Sequence, residues 1–140
     1  MPTLRELAVE AIGGYNKWNM DAIMAYRDET CVHEILPKSL QQPTRNNTEY
    51  RAYFAAQLPL FEKFHVIVSD VFEDVAQNRV AVWCSSTAET PIGPYKNEYV
   101  MMFYFDGEGK KVVKIKEFVD SAGSKWFFGK LEKKLAEGKL

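Results

Sequence analysis

Two carboxylates, Glu117 and Asp120, stand at the end of the stretch Lys110 to Ala122, KKVVKIKEFVDSA. Val112, Val113, Ile115, Phe118 and Val119 are β-formers, so the stretch reads as one long strand closed by a helix start at Ser121 to Ser124. A carboxylate at such a place either caps the following helix or points into a cavity, and the spacing leaves both open. Inside a cavity walled by Trp83, Tyr99, Met101 and Phe103, burial would raise a carboxyl's pKa and let it give and recover a proton near neutral pH. Two such groups can enolise a ketone, open or close a lactone, or dehydrate. His33 and His65 fall in predicted strands, where each is either an ordinary strand residue or a group that orients a carboxylate. No GxGxxG, P-loop, HExxH or CxxC stretch is present, so nucleotide, dinucleotide and zinc chemistry lack sequence support, and neither a cofactor nor a metal is expected.

The elements that must position these groups fit a single domain, since 140 residues suffice for one core. A net charge of -1 gives no electrostatic case for nucleic acid or an anionic membrane as partner. No run approaches the ~20 apolar residues of a membrane span. The opening MPTLRELAVE mixes charges with apolar residues and reads as neither signal nor transit peptide. Cys31 and Cys84 lie far apart in predicted strands, which suits small buried hydrophobes in a reducing compartment, so a cytoplasmic location is expected. Aromatic residues make up 14% of the chain, and that surface must be buried in a core or a pocket.

Thr3 with Glu6 forms a capping box ahead of a first helix carrying Leu4, Leu7, Ala8, Ala11, Ile12 and Tyr15 on one face. A short second helix is predicted over Met20 to Tyr26, and Cys31 to Leu36 reads as a short edge strand ended by Pro37. Asn46 and Glu49 open a third helix that runs toward Phe61, ended or kinked by Pro59. From Phe64 the period becomes two, with Phe64, Val66 and Val68 facing one way and His65, Ile67 and Val71 the other. Strands follow over Arg79 to Thr90 and Tyr95 to Phe105, separated by a Pro91 to Pro94 connection, and DGEG at Asp106 to Gly109 turns into the Lys110 to Ala122 stretch. A last helix carries Trp126, Phe127, Phe128, Leu131 and Leu135 on its apolar side. This order predicts an α+β fold, a curved antiparallel sheet wrapped by helices into a cone with an internal pocket. Apolar residues on both sheet faces predict a homodimer packed through the sheet.

The same order, ending in EFVD, resembles the SnoaL-like branch of the nuclear transport factor 2-like fold over nearly the whole chain. HEILPKSLQQP (His33 to Pro43), FEKFHVIV (Phe61 to Val68), STAETPIGPYKNEYV (Ser86 to Val100) and KIKEFVDSA (Lys114 to Ala122) resemble small fungal meroterpenoid cyclases and isomerases. The resemblance implies a cofactor-free, dimeric enzyme that rearranges a ring or lactone of a terpenoid-polyketide hybrid. It also implies that Glu62 and Asp120 are the catalytic acid-base pair, and that Lys38 contacts substrate oxygens. The full set of expected substrate contacts is His33, Lys38, His65, Trp83, Tyr99, Met101 and Phe103, around an apolar polycyclic ligand. Two alternatives stay open on the same fold: a polyketide cyclase or dehydratase, and a non-catalytic module that binds small molecules or serves as a dimeric interaction module.

Overall fold

A computed structural model describes Met1–Leu140. Its six strands are β1 (Arg27–Leu36), β2 (Arg45–Asn46), β3 (Glu62–Asp74), β4 (Arg79–Thr90), β5 (Gly93–Phe105) and β6 (Val112–Val119), in the sheet order β2-β1-β6-β5-β4-β3. The helices are α1 (Leu4–Gly13), α2 (Met20–Met24), α3 (Asn47–Ala55) and α4 (Ser121–Ala136). This is the α+β architecture that the order of periods implies: β3 to β6 form an antiparallel meander, and β1 joins it parallel to β6.

Local chemistry sets the helix starts. The Thr3 hydroxyl accepts from the Glu6 amide, Asn19 caps α2, and Asn46 with Glu49 makes a reciprocal capping box on α3. Helix α1 lays Leu7, Ala8, Ala11 and Ile12 on a sheet face lined by Val80, Val82, Cys84, Met101, Phe103 and Ile115. No helix is long and apolar enough to cross a membrane.

Four details differ from the sequence reading. Strand β1 is not at the edge, because the two-residue β2 pairs with it through Val32–Asn46 and His33–Arg45, and it begins at Arg27 rather than Cys31. Helix α3 stops at Ala55; Pro59 belongs to a separate 3-10 turn, and Glu62 opens β3 instead of sitting on a helix end. An irregularity between Val68 and Asp70 shifts the register of β3 by one, which returns Val71 to the buried face with Val66. Prolines 91 and 94 do not interrupt the sheet: Thr90 pairs with Gly93 across a two-residue turn, with Gly93 at φ 112°.

Between the sheet and helices α3 and α4 lies a cavity of about 710 Å³. Phe54, Phe61, Phe64, Phe128 and Leu131 make much of its apolar wall. Gly129, in the middle of α4, adds to that wall a place where a Cβ would meet no atom within 4 Å.

Candidate active site

Period-two alternation along β6 decides that Glu117 enters the cavity. Ile115 and Val119 are buried, so Glu117 between them projects from the same face, in a row with Met101 on β5 and Ile35 on β1. Its side chain is 17% exposed and lines the cavity. Oε1 sits 2.8 Å from His33 Nε2, while Oε2 has no protein partner.

His33 is almost fully buried, and its other nitrogen, Nδ1, is 2.9 Å from Arg27 Nη2. A guanidinium can only donate, so Nδ1 accepts and the imidazole proton resides on Nε2, facing Glu117. Burial lowers the His33 pKa; the Glu117 contact opposes this, and the charges of Arg27 and Arg45 reinforce it. The contact is therefore a charge-assisted hydrogen bond from a neutral imidazole to a carboxylate. Arg27 stays charged: burial opposes the charge, and the nearby oxygens of Tyr15 and Tyr50 more than offset it. The Tyr50 ring stacks on the imidazole at 4.3 Å between centroids, carries the Arg27 guanidinium 4.0 Å from its centre, and shares a 2.8 Å hydroxyl contact with Tyr15.

A second polar group in the wall consists of Asn97, Tyr95, Tyr99 and Ser86. Asn97 Oδ1 accepts the Glu98 amide, which orients the side chain so that Nδ2 donates to the Tyr95 hydroxyl and to Ser124 Oγ, each at 2.8 Å. The protein acceptor left for Tyr95's hydrogen is the Tyr99 oxygen at 3.0 Å, which leaves the Tyr99 hydrogen for Ser86 Oγ at 2.7 Å or for a ligand. Burial, aided by Glu117's charge, holds both phenols neutral, with Tyr95 raised to about 12 and Tyr99 well above its ordinary value. The cavity thus offers a carboxylate with one free oxygen and a phenol able to donate, within apolar walls.

The expected residues divide between two faces. Tyr99 and Met101 line the cavity, and His33 holds the carboxylate that does. Phe103 is buried in the core on the same sheet face but forms no part of the cavity wall. Trp83 alternates to the outer face, 43% exposed, where its indole N–H donates to Glu98, so it is not cavity wall. His65 is exposed on β3, and Lys38 is exposed on a turn after Pro37. Glu62 is exposed at the start of β3. Asp120 is exposed and caps α4, its Oδ1 accepting from the Gly123 amide at 3.2 Å. Neither Glu62 nor Asp120 contributes to the cavity wall. Trp126, expected on the apolar side of α4, is 67% exposed. Sequence reasoning missed Arg27, which lies ahead of the expected strand, and Arg45, which lies between the strand ended by Pro37 and the helix opened by Asn46. The one available signal was parity, since Glu117 shares its face with Ile115 and Val119 whereas Asp120 does not.

The buried neutral His33 predicts how stability depends on pH. Its folded pKa lies below 6.5, so the unfolded chain takes up this proton first as pH falls. Its contribution is complete above about 6.5 and is lost as pH drops from there toward the folded value. Melting temperatures of the wild type should fall as pH drops below about 6.5, and those of His33→Gln should fall less. Parallel slopes would assign the loss to other groups.

No family model matches the chain. It is 33% identical over 129 residues to core atranone cluster protein 11 of Stachybotrys chlorohalonatus, covering 91% of this chain and 96% of that one. Monooxygenase nsrQ of Aspergillus novofumigatus is 30% identical, covering 92% of this chain and 85% of its own length. Among solved structures, BvnE pinacolase from Penicillium brevicompactum superposes with a TM-score of 0.87 at 26% identity, covering 95% of this chain and 96% of that one. An NTF2-like protein from Burkholderia pseudomallei superposes at 0.74 with 12% identity over 89% of this chain and 96% of its own, a likeness of fold alone. With this fold, this cavity and these relatives, the chain has the nuclear transport factor 2-like fold and belongs to the same family as the atranone-cluster protein and monooxygenase nsrQ.

Proposed function

We propose that this protein is an acid-base isomerase or cyclase that rearranges a ring or lactone of a terpenoid-polyketide hybrid, without drawing on a cofactor. The observation that carries the reading is Glu117, held through one oxygen by neutral His33 and free at the other, in the wall of a largely apolar cavity of about 710 Å³. Glu117 takes a proton from carbon next to a carbonyl and returns it elsewhere, while Tyr99 donates to a substrate oxygen. The carboxylate role that the family resemblance gave to Glu62 and Asp120 is carried here by Glu117, because it is the carboxylate that the hydrogen-bonded histidine holds against the cavity. The pinacolase among the relatives supports a rearrangement, and the atranone-cluster protein supports a place in secondary metabolism. The aromatic wall suits an apolar polycyclic ligand. Incubation in D₂O with polycyclic ketones and lactones tests this: the protein should speed deuterium entry next to the carbonyl, and exchange at the background rate for every such compound would remove the reading.

The monooxygenase name of one relative favours a second reading of the same site, in which the enolate formed at Glu117 reduces dioxygen. Oxygen uptake separates the two, because isomerisation consumes none.

The dimer belongs to this proposal as well. Phe118, Val100 and Trp83 are directly paired across β6, β5 and β4 and all exposed on the outer face, with Phe72 and Ile67 beyond them on β3. A second copy would cover this row. Light scattering at micromolar concentration should give twice 16.1 kDa, and a monomer mass would contradict the pairing.

A further inference from the structure

We infer that Arg45 is the anchor for a ligand oxygen that carries negative charge during the reaction. This extends the proton-transfer reading of Glu117 and rests on it. Arg45 stands directly across from His33 in the β2–β1 pair, so both side chains leave the same face of the sheet, and Glu117 meets the imidazole from its other side. The guanidinium lies 3.8 Å above the centre of the Tyr53 ring, and Nη2 is fixed by a 2.9 Å bond to Gln42 Oε1. Nη1 is buried and has no partner, although Arg45 and Gln42 both line the cavity. A buried donor left unpaired is costly, and a ligand oxygen at Nη1 would satisfy it. Arg27 also has unpaired nitrogens, but it lies behind His33 and forms no part of the cavity wall.

The stacking and the Gln42 bond hold the guanidinium plane before any ligand arrives, as a preorganised electrostatic site requires. With a base on one side of His33 and a fixed cation on the other, the substrate class narrows to enolisable carbonyl compounds. In the forward step the C–H bond breaks, its proton bonds to Glu117 Oε2, and the electron pair moves onto the carbonyl oxygen. That oxygen becomes an enolate held by the Nη1–H of Arg45. Return of the proton to a different atom completes an isomerisation, with no oxidant or reductant needed.

Two fluorescent probes of one shape test the anchor: anthracene-2-carboxylate and 2-(hydroxymethyl)anthracene. The wild type should bind the carboxylate at least tenfold more tightly than the alcohol. Arg45→Gln should erase that preference while holding the alcohol within twofold of wild type, and Arg45→Lys should keep part of it. Glu117→Gln should keep or enlarge the preference, because it removes a like charge, and should lose deuterium exchange. A wild type that prefers the alcohol overturns the anchor without recourse to any variant, as does an Arg45→Gln that weakens both probes equally. Exchange retained in Glu117→Gln, with the carboxylate preference intact, overturns the proton-transfer reading and leaves the anchor standing.

Discussion

Glu117→Gln is expected to lose about 10²-fold or more in exchange or turnover and to fold normally. The amide has the carboxylate's size and can still accept from His33 Nε2 through its oxygen, so the 2.8 Å contact survives while the ability to take a proton does not. Asp120→Asn supplies the contrast. Asparagine caps helices as well as aspartate does, so the bond to the Gly123 amide persists and stability should move by about 1 kcal/mol or less. With the acid-base role on Glu117, both Asp120→Asn and Glu62→Gln should stay near wild-type rate, since both side chains are exposed and away from the cavity wall. The reverse pattern, with full rate in Glu117→Gln and a hundredfold loss in either of the others, would return the chemistry to the pair that the family resemblance suggested. Single-turnover rates and melting temperatures on the same preparations distinguish the two.

The largest loss of stability is expected from Tyr50→Ala. Tyr50 is 2% exposed, packs against Phe54 at 5.6 Å between centroids as well as against His33 and Arg27, and shares its hydroxyl contact with Tyr15. Truncating a buried aromatic side chain costs about 3–5 kcal/mol, out of a total stability of about 5–15 kcal/mol for a domain of this kind. Tyr50→Phe keeps the ring and leaves the Tyr15 hydroxyl without its partner, so it should cost about 1–3 kcal/mol. Urea unfolding curves give both numbers, and a Tyr50→Ala loss no greater than that of Tyr50→Phe would mean that the ring itself holds little together.

Helices α1 and α3 were legible from their caps, because Thr3 and Asn46 act within three residues of themselves. The meander was legible from alternation. What escaped the sequence were features made by distant parts of the chain. The two-residue β2 has too few residues to show a period, yet it moves β1 off the edge and brings Arg45 beside His33. The irregularity after Val68 reverses the parity that a plain strand would have given Val71. At the site, resemblance to EFVDSA drew attention to Asp120, although the β period already assigned the inner face to Glu117. Arg27 could not have been found by spacing, since only the fold brings its guanidinium to a histidine on the same strand six residues on.

The cavity also bears on how long the folded chain survives. Glycine inside a helix is about 1 kcal/mol less favourable than alanine, and Gly129 keeps that disadvantage where extra atoms would have had room. A chain that leaves such space unfilled forgoes stability that a bound molecule can supply. Ligand at 100 times its dissociation constant adds about 2.7 kcal/mol, which raises the ratio of folded to unfolded chains about a hundredfold. Any ligand that fills the cavity therefore prolongs the life of the folded chain, since chains without ligand spend more time open to proteases than chains that hold it.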